Sequence, residues 1–368
     1  QTERPKELMD GRGCREKRSF GRGKKPREKS RYFMKKLRIG FVERKFNYFV
    51  SVENVFRQVS EGLDKERFET SFQQLPYLNT FIGMLRNLMV FRPDPAADIT
   101  HVTGHCHYIT LALSPARTLL TIHDLGFLHT RTGLRRWLLK KLLLDLPVRR
   151  LRCVTAISAA TKEEIVAHTG TQNVRVIHDP LDPFFIADSK PEFNSHDPKI
   201  LQIGTSANKN VENLVRAIDG LACRLTLVGE IDDRLEQLLR ERNIRYEAKS
   251  ELNNEELRAE YESADIVAFC SLYEGFGLPI IEAQAMRTPV VTSDLRPMKD
   301  VAGEEGAVLV DPLDHTSIRQ GILRVIREPE LRNALVANGL ENIKRFDRRA
   351  IASQYETIYI EMIEGSGR

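Results

Sequence analysis

Residues 265–294 read DIVAFCSLYEGFGLPIIEAQAMRTPVVTSD, and this stretch decides the fold. A short apolar run, typical of a buried strand, leads into a turn that contains Gly275 and Gly277. Pro279 then begins a helical pattern, and PVVTS predicts the next strand. Glycines let a backbone approach a ligand closely, and a helix N-terminus offers unpaired N–H groups. The stretch therefore predicts a strand–turn–helix–strand unit with a ligand at the start of the helix.

Two carboxylates accompany this turn. Glu274 lies in the loop, and Glu282 falls within the first turns of the predicted helix. A carboxylate accepts several hydrogen bonds, which suits it to neighbouring hydroxyl groups. Two such groups facing one ligand fit a molecule with two polyol ends, such as a sugar and a ribose. An ordinary strand–helix unit with surface glutamates is the structural alternative.

Similar units repeat on both sides of this stretch. Apolar runs alternate with helical patterns from LRIGFV at residue 37 to VRVIHDP near residue 176, and again from KILQIGT at residue 199 to AVLVDP near residue 310. This alternation predicts α/β architecture with parallel sheets covered by helices. The proline-containing segment 181–198 lacks periodicity and is the candidate linker. We predict a first domain at residues 35–185 and a second at residues 186–368, with the last helix packing back on the first domain.

Charge is distributed unevenly along the chain. Residues 1–36 hold 14 of the 56 Lys and Arg but five of the 51 Asp and Glu, so this segment carries +9 and the remainder −4. Few large apolar residues occur in it, which predicts a disordered basic tail at residues 1–34. Binding of nucleic acid or anionic lipid through the tail is the alternative, but the acidic body argues against a specific nucleic-acid partner.

The sequence also indicates a compartment. We expect no membrane-spanning segment and no secretory signal, because no run of about 18 apolar residues occurs. Five scattered cysteines without a C-x-x-C pair are typical of reduced thiols in the cytoplasm. The basic, leucine-rich segment 131–152, RTGLRRWLLKKLLLDLPVRRLR, has two interpretations. It is either a peripheral contact with an anionic membrane face or a surface helix that packs its leucines on the sheet.

Two further segments carry candidate site residues. In ILQIGTSANKNVENLVRAI, residues 200–218, a strand ends at Gly204 and Lys209 precedes a helix. A lysine there can reach a pyrophosphate at the carboxyl edge of the sheet. In TIHDLGFLH, residues 121–129, His123 lies at a strand end and points toward the cleft if the two domains face each other. Asp124 is expected to hold the turn or the imidazole.

The segment Glu274-Gly-Phe-Gly-Leu-Pro-Ile-Ile-Glu282 resembles the E-x7-E signature of glycosyltransferase family 4. The similarity extends from about residue 37 to the C-terminus and is densest from 200 to 312. It implies the GT-B fold, in which two Rossmann-like domains face each other across a cleft. It also implies that Glu274 holds the donor hexose, Glu282 holds the nucleotide ribose, and the loop amides meet the sugar and the diphosphate.

The resemblance implies roles for the other segments too. His123 would approach the donor sugar or the reacting centre, and Lys209 would contact the diphosphate. The family's loop usually carries an Arg before this Lys, whereas Thr205 and Asn208 occupy that region here. We place Glu274, His123 and Lys209 as catalytic residues. The expected donor-binding residues are Glu282, Gly275, Phe276, Gly277, Leu278, Gly204, Thr205 and Glu230.

The acceptor side is less distinct. Three histidines crowd HVTGHCHY, residues 101–108, but their spacing matches no zinc motif and no carboxylate lies between them. We therefore expect no metal and interpret this loop as facing the acceptor, with His107 as the contact. The first strand lacks the family's Gly-Gly loop, so Asn47 and Ser51 take that place as acceptor-side residues.

These expectations define one leading function. The chain would be a retaining, metal-independent hexosyltransferase without a cofactor. It would move a hexose from a UDP- or GDP-sugar to a glycan or lipid-linked acceptor in surface polysaccharide synthesis, in the cytoplasm or at the inner membrane face. A nucleotide-sugar epimerase of the same fold, which acts without an acceptor, is one alternative. A phosphorylase-like enzyme, which needs pyridoxal phosphate, and a nucleic-acid-binding protein are the others.

Overall fold

The computed structural model describes residues 35–45 and 51–366. The predicted disordered tail, residues 1–34, and Asn47 lie outside the described residues, as does the side chain of Ser51. Residues Leu37–Arg368 form one compact unit. Within the described part, no helix is both long and apolar enough to cross a membrane.

The first sheet has six parallel strands in the order β2-β1-β3-β4-β5-β6. Its strands are β1 (Leu37–Glu43), β2 (Phe68–Gln74), β3 (Ile99–Val102), β4 (Thr118–Ile122), β5 (Val154–Ala156) and β6 (Val174–Val176). Its helices are α1 (Ser51–Gly62), α2 (Phe81–Val90), α3 (Gly126–Thr130), α4 (Gly133–Lys140), α5 (Leu146–Arg150) and α6 (Ala159–Thr169). A π-helical turn, Lys141–Asp145, joins α4 to α5, so segment 131–152 is helical over most of its length.

The second sheet also has six parallel strands, in the order β12-β11-β10-β7-β8-β9. Its strands are β7 (Lys199–Ile203), β8 (Arg224–Val228), β9 (Tyr246–Lys249), β10 (Ile266–Phe269), β11 (Val290–Ser293) and β12 (Val308–Val310). The helices that follow are α7 (Val211–Ile218), α8 (Asp233–Glu241), α9 (Asn254–Ser263), α10 (Leu278–Ala285), α11 (Met298–Ala302), α12 (His315–Arg327), α13 (Pro329–Asn342) and α14 (Arg348–Ser366).

Each sheet buries both of its faces, which explains the apolar runs. In β10, Ile266 and Ala268 join one core cluster, while Val267 and Phe269 join the cluster on the opposite face. Successive side chains of a strand point to opposite faces, so a strand covered on both sides needs apolar residues at every position. The predicted α/β fold with two parallel sheets is confirmed.

The last helix, α14, returns to the first sheet. The imidazole of His101 lies between Tyr359 Oη (2.8 Å from Nδ1) and Thr121 Oγ1 (2.7 Å from Nε2). Near α1, Glu356 Oε1 accepts a hydrogen bond from the backbone N of Asp64 at 2.7 Å. His101 therefore helps to hold α14 against the first sheet and has a structural role. The predicted domain bounds, residues 35–185 and 186–368, stay a prediction.

Candidate active site

A lysine–glutamate pair lies at the carboxyl ends of β7 and β10. Lys209 Nζ donates to Glu274 Oε1 at 2.7 Å and lies 4.6 Å from the centre of the Phe269 ring. The two charged side chains are 18% and 13% exposed, so the pair is largely shielded from water. Gly204 has φ +84°, and a Cβ there would lie 2.8 Å from Lys209 Cε. The glycine therefore allows the lysine stem to cross the backbone directly after β7.

Asn208 connects the lysine loop to the glutamate loop. Its backbone O accepts from Leu272 N at 2.8 Å, and its Nδ2 donates to Tyr273 O at 2.9 Å. Asn208 lies where the family's arginine was expected. Its observed contacts fix the loop that carries Glu274, a role that no sequence motif indicates.

Thr205 and Glu230 contact each other. The Thr205 hydroxyl donates to the backbone O of Glu230, and the Glu230 side chain is exposed. Gly229 has φ +141°, and a Cβ there would lie 2.6 Å from Thr205 Oγ1. The loops after β7 and β8 are thus packed closely together. Donor binding by these residues stays a prediction.

The glycine turn forms the uncapped N-terminus of α10. Gly277 is the N-cap with φ +116°, and no capping side chain is present among the described residues. Pro279 has no N–H and Ile280 N donates to the backbone O of Gly277 at 3.0 Å, so among the first three positions of α10 the N–H of Leu278 is suited to an anion. Phe276 is buried, with ring centres 5.5 Å from Phe346 and 5.6 Å from His178. Its side chain holds the turn on the core, so only its backbone is available to a ligand, and Leu278 is half-buried.

Glu282 lies in α10 and is bonded to a buried tyrosine. The hydroxyl of Tyr261 donates to Glu282 Oε2 at 2.6 Å. Burial raises the pKa of Glu282 to about 7, the hydrogen bond from Tyr261 opposes this shift, and the nearby charge of Asp182 adds to it. The carboxyl group therefore exchanges its proton near neutral pH. A hydroxyl ligand that donates hydrogen bonds would favour the ionised form.

His123 follows β4 and is 4% exposed. Its Nε2 lies 2.8 Å from the backbone O of Thr103, and since a carbonyl only accepts, Nε2 carries the proton. Burial, followed by the charge of His105, lowers the pKa of His123 to about 3. The ring is therefore neutral near pH 7. Asp124 Oδ1 accepts from Gly126 N at 2.7 Å and so holds the turn.

Gly275 brings the His123 loop and the Glu274 loop into contact. A Cβ on Gly275 would lie 2.1 Å from the backbone O of His123. The hydroxyl of Thr161 lies 3.4 Å from that oxygen and 3.3 Å from the backbone O of Gly275. The three predicted catalytic residues thus lie on loops that meet at one place.

The acceptor-side histidines are placed differently from one another. His107 is 2% exposed, and its Nδ1 donates to the backbone O of Leu143 at 2.7 Å. Burial lowers the pKa of His107 to about 4, and its Nε2 has no partner among the described residues. His105 is more exposed, with Nε2 3.5 Å from Asp124 Oδ2. The part of the chain that the structure describes contains no group of three or more His, Cys, Asp or Glu side chains arranged for a metal. An acceptor contact by His107 stays a prediction.

The sequence reasoning missed two buried carboxylates at the end of β1 and the start of α1. Arg57 Nη2 donates to Glu43 Oε2 and Arg44 Nε donates to Glu53 Oε1, both at 3.0 Å. Burial raises the pKa of Glu43 to about 6. The two pairs join the end of β1 to α1 on the first sheet. In the sequence, the one indication of these pairs is that Glu43 ends a strand and Glu53 lies in the first turn of a helix.

The two sheets and their loops define a protein of the GT-B fold. The solved structure of Anabaena HepE in complex with UDP-glucose has a TM-score of 0.71 and 15% identity, and the match covers 88% of this chain and 99% of that chain. At that identity the likeness concerns the fold. The family model described as Glycosyltransferase Family 4 matches residues 53–183, and the model for glycosyl transferases group 1 matches residues 185–342. The two models together match residues 53–183 and 185–342, so the predicted resemblance to glycosyltransferases of family 4 is confirmed.

Curated relatives match parts of the chain. An uncharacterized glycosyltransferase of Methanocaldococcus jannaschii is 27% identical in an alignment 239 residues long, which covers 58% of this chain and 61% of the relative. The O-antigen chain mannosyltransferase B of Escherichia coli is 34% identical in an alignment 173 residues long, which covers 43% of this chain and 45% of the relative. The chain thus spans less than two thirds of the length of either relative.

Proposed function

We propose that the chain is a retaining glycosyltransferase that moves a hexose from a nucleotide diphosphate sugar to an acceptor hydroxyl. The observation that carries the proposal is the Lys209–Glu274 pair beside the uncapped N-terminus of α10. Cationic and N–H groups there suit a diphosphate, and the adjacent carboxylate suits sugar hydroxyls. His123, on the loop that touches Gly275, completes the site from the other sheet.

The proposed reaction is a front-face displacement. The anomeric C–O bond to the diphosphate breaks, the acceptor oxygen bonds to the same face, and the leaving diphosphate takes the acceptor proton. Lys209 and the N–H of Leu278 at the start of α10 stabilise the negative charge that develops on the leaving group. His123 is neutral, so it contributes hydrogen bonding at the sugar and no positive charge. Neither a metal nor a cofactor has a part in this scheme.

The relatives' names support a UDP-hexose as donor and an O-antigen-like glycan as acceptor, and a GDP-hexose stays the alternative donor. HepE is described in complex with UDP-glucose, and the Escherichia coli relative is named for O-antigen mannosyl transfer. We propose a lipid-linked intermediate of polysaccharide synthesis, at the inner face of the membrane, as the alternative acceptor. Glu282 would bind the ribose, and Glu230 would lie near the base.

The function is tested with the purified chain, UDP- and GDP-hexoses, and short glycan or lipid-linked acceptors. We expect one nucleotide sugar to give product whose anomeric proton coupling matches the donor configuration. Activity should persist in EDTA, because no step uses a metal. Inverted product or release of free sugar alone would contradict retaining transfer. Conversion of the donor into another nucleotide sugar without an acceptor would indicate an epimerase.

Peripheral contact with an anionic membrane is part of the proposal. In α2, five apolar side chains are between 47% and 64% exposed: Phe81, Ile82, Leu85, Met89 and Val90. In α4, Leu134 is 79% and Trp137 is 55% exposed. Segment 131–152 carries eight Lys or Arg and one acid, Asp145, which is already paired with Lys140 at 2.6 Å. Exposed apolar groups among uncompensated positive charges are suited to an anionic bilayer.

We therefore expect the chain to sediment with phosphatidylglycerol vesicles and to be released by high salt. Replacing Leu134 and Trp137 with serine should reduce the bound fraction several-fold without changing turnover on a water-soluble acceptor. Leu313 is 75% exposed on the other half of the chain, so Leu313→Ser is the matched control. Equal binding to phosphatidylcholine vesicles, or no effect of replacing both Leu134 and Trp137, would show that this surface does not bind an anionic membrane.

Glu282 should make donor affinity pH-dependent. Its pKa is raised to about 7, and ribose hydroxyls bind the ionised carboxylate, so affinity should rise with pH and level off above 7. Below pH 7, the affinity for the donor should fall by up to about tenfold for each pH unit. An intact nucleotide sugar is the suitable probe, because its phosphate diesters do not titrate in this range. Glu282→Gln should flatten the profile measured by calorimetry between pH 5.5 and 8.5, and a mutant profile parallel to that of the wild type would refute the ribose contact.

A further inference from the structure

Tyr273 lies in the loop that carries Glu274, and its side chain reaches α3 and α6 of the first sheet. Its Oη accepts from the backbone N of Leu125 at 2.9 Å and lies 3.2 Å from Glu164 Oε2, to which its hydroxyl donates. Its ring centre lies 4.5 Å from that of His129, and His129 Nε2 is 2.7 Å from Glu164 Oε1. The phenol is thus held by one backbone donor, one carboxylate and one ring.

The backbone of the same residue belongs to the loop that carries Glu274. Its carbonyl accepts from Asn208 Nδ2 at 2.9 Å, and the next residue, Glu274, pairs with Lys209. On the other side, Leu125 lies two residues after His123, whose carbonyl abuts Gly275. One tyrosine therefore joins the segment that carries Glu274 to the segment that carries His123.

We propose that Tyr273 is a positioning residue that fixes Glu274 relative to His123 when the two halves are closed. The inference rests on the proposed function and adds a residue to it. The hydrogen bonds of the phenol go to Leu125 and Glu164 and to neither His123 nor the lysine–glutamate pair, so it acts through the two loops. Small displacements of the groups that hold a reacting sugar strongly reduce the rate of transfer. Closure of the two halves also keeps water away from the donor.

The hydroxyl can be removed without removing the ring. Tyr273→Phe keeps the ring contact with His129 but removes the hydroxyl that Leu125 N and Glu164 Oε2 contact. We expect kcat to fall about 10- to 100-fold, as loss of alignment does. We expect the dissociation constant for the nucleoside diphosphate to stay within about threefold, since its proposed ligands are unchanged. The share of donor that is hydrolysed rather than transferred should increase.

A second bridge between the same halves supplies the control. Arg296 Nη1 lies 2.8 Å from Glu163 Oε1, both side chains are exposed, and neither residue touches the Glu274 loop. Exposed ion pairs contribute little, so Arg296→Gln should leave kcat and the hydrolysed share unchanged. Glu164→Gln keeps an oxygen that can accept from the tyrosine, so it should retain more activity than Glu164→Ala.

The outcomes separate this inference from the proposed function. If wild-type chain transfers sugar and Tyr273→Phe transfers it at the same rate, the positioning role is wrong and the function stands. If Tyr273→Phe loses nucleotide affinity and thermal stability in proportion to kcat, the residue is merely structural and the inference fails. Absence of transfer by the wild-type chain would instead refute the proposed function. A fall in kcat with more hydrolysis and unchanged nucleotide affinity supports the inference.

Discussion

Replacing Lys209 with alanine is expected to lower kcat for glycosyl transfer about 10²- to 10³-fold, the range found when one group that stabilises developing charge is removed. Lys209 Nζ lies 2.7 Å from Glu274 Oε1, and its stem crosses Gly204 at the carboxyl edge of the second sheet. The diphosphate would leave there, beside the uncapped start of α10. Without the ammonium group, the charge that forms on the leaving group is stabilised only by backbone N–H groups.

The same substitution leaves Glu274 as a largely buried charge without its partner. The double variant Lys209→Ala with Glu274→Gln removes both charges, so its melting temperature compared with that of Lys209→Ala shows how much stability the unpaired carboxylate costs. Lys344 provides a control, because its pair with Glu341 is exposed at both ends. Lys344→Ala should retain full kcat and thermal stability. Near-normal turnover of a folded Lys209→Ala protein would remove the lysine from the mechanism.

Replacing Gly275 with alanine is expected to have the second largest effect. The new Cβ would lie 2.1 Å from the backbone O of His123, far closer than carbon and oxygen approach without bonding. The loops that carry Glu274 and His123 must then separate by about an ångström or more. A misplacement of that size costs about 10²-fold in rate, and loss of the packed contact should also lower the melting temperature.

Gly365 is the matched control for this steric argument. A Cβ there meets nothing within 4 Å, and its φ is not in the left-handed region. Gly365→Ala should therefore leave kcat and melting temperature unchanged. Wild-type kinetics in Gly275→Ala would mean that the two loops do not need to touch during the reaction.

Sequence reasoning succeeded where a local pattern determines the structure. Strand β10 is apolar at every position because both faces are covered, and Gly277 with Pro279 begins α10 as the motif requires. The placement of Lys209 before α7 follows from the same logic. These features depend on residues close together in sequence, so their spacing predicts them.

Features that depend on distant contacts were not predicted. Strand β2 has the sequence FETSFQQ, and its polar residues are accommodated because it is the edge strand beside β1. The burial of His107 depends on its hydrogen bond to Leu143, which lies 36 residues away. Tyr273 reads as an ordinary loop residue until Leu125 and Glu164 are brought to it by the fold. Such roles require the tertiary structure.

The loops that carry Lys209 and Glu274 are proposed to bind a nucleotide diphosphate sugar. This binding is tested most directly by calorimetric titration of wild type, Lys209→Ala and Glu274→Gln with UDP, GDP, ADP and their hexose conjugates. We predict that one nucleotide series binds the wild type, that Lys209→Ala weakens both the nucleotide and its sugar conjugate, and that Glu274→Gln weakens only the conjugate. Failure of every nucleotide to bind the wild type, or equal binding by all three proteins, would contradict the account.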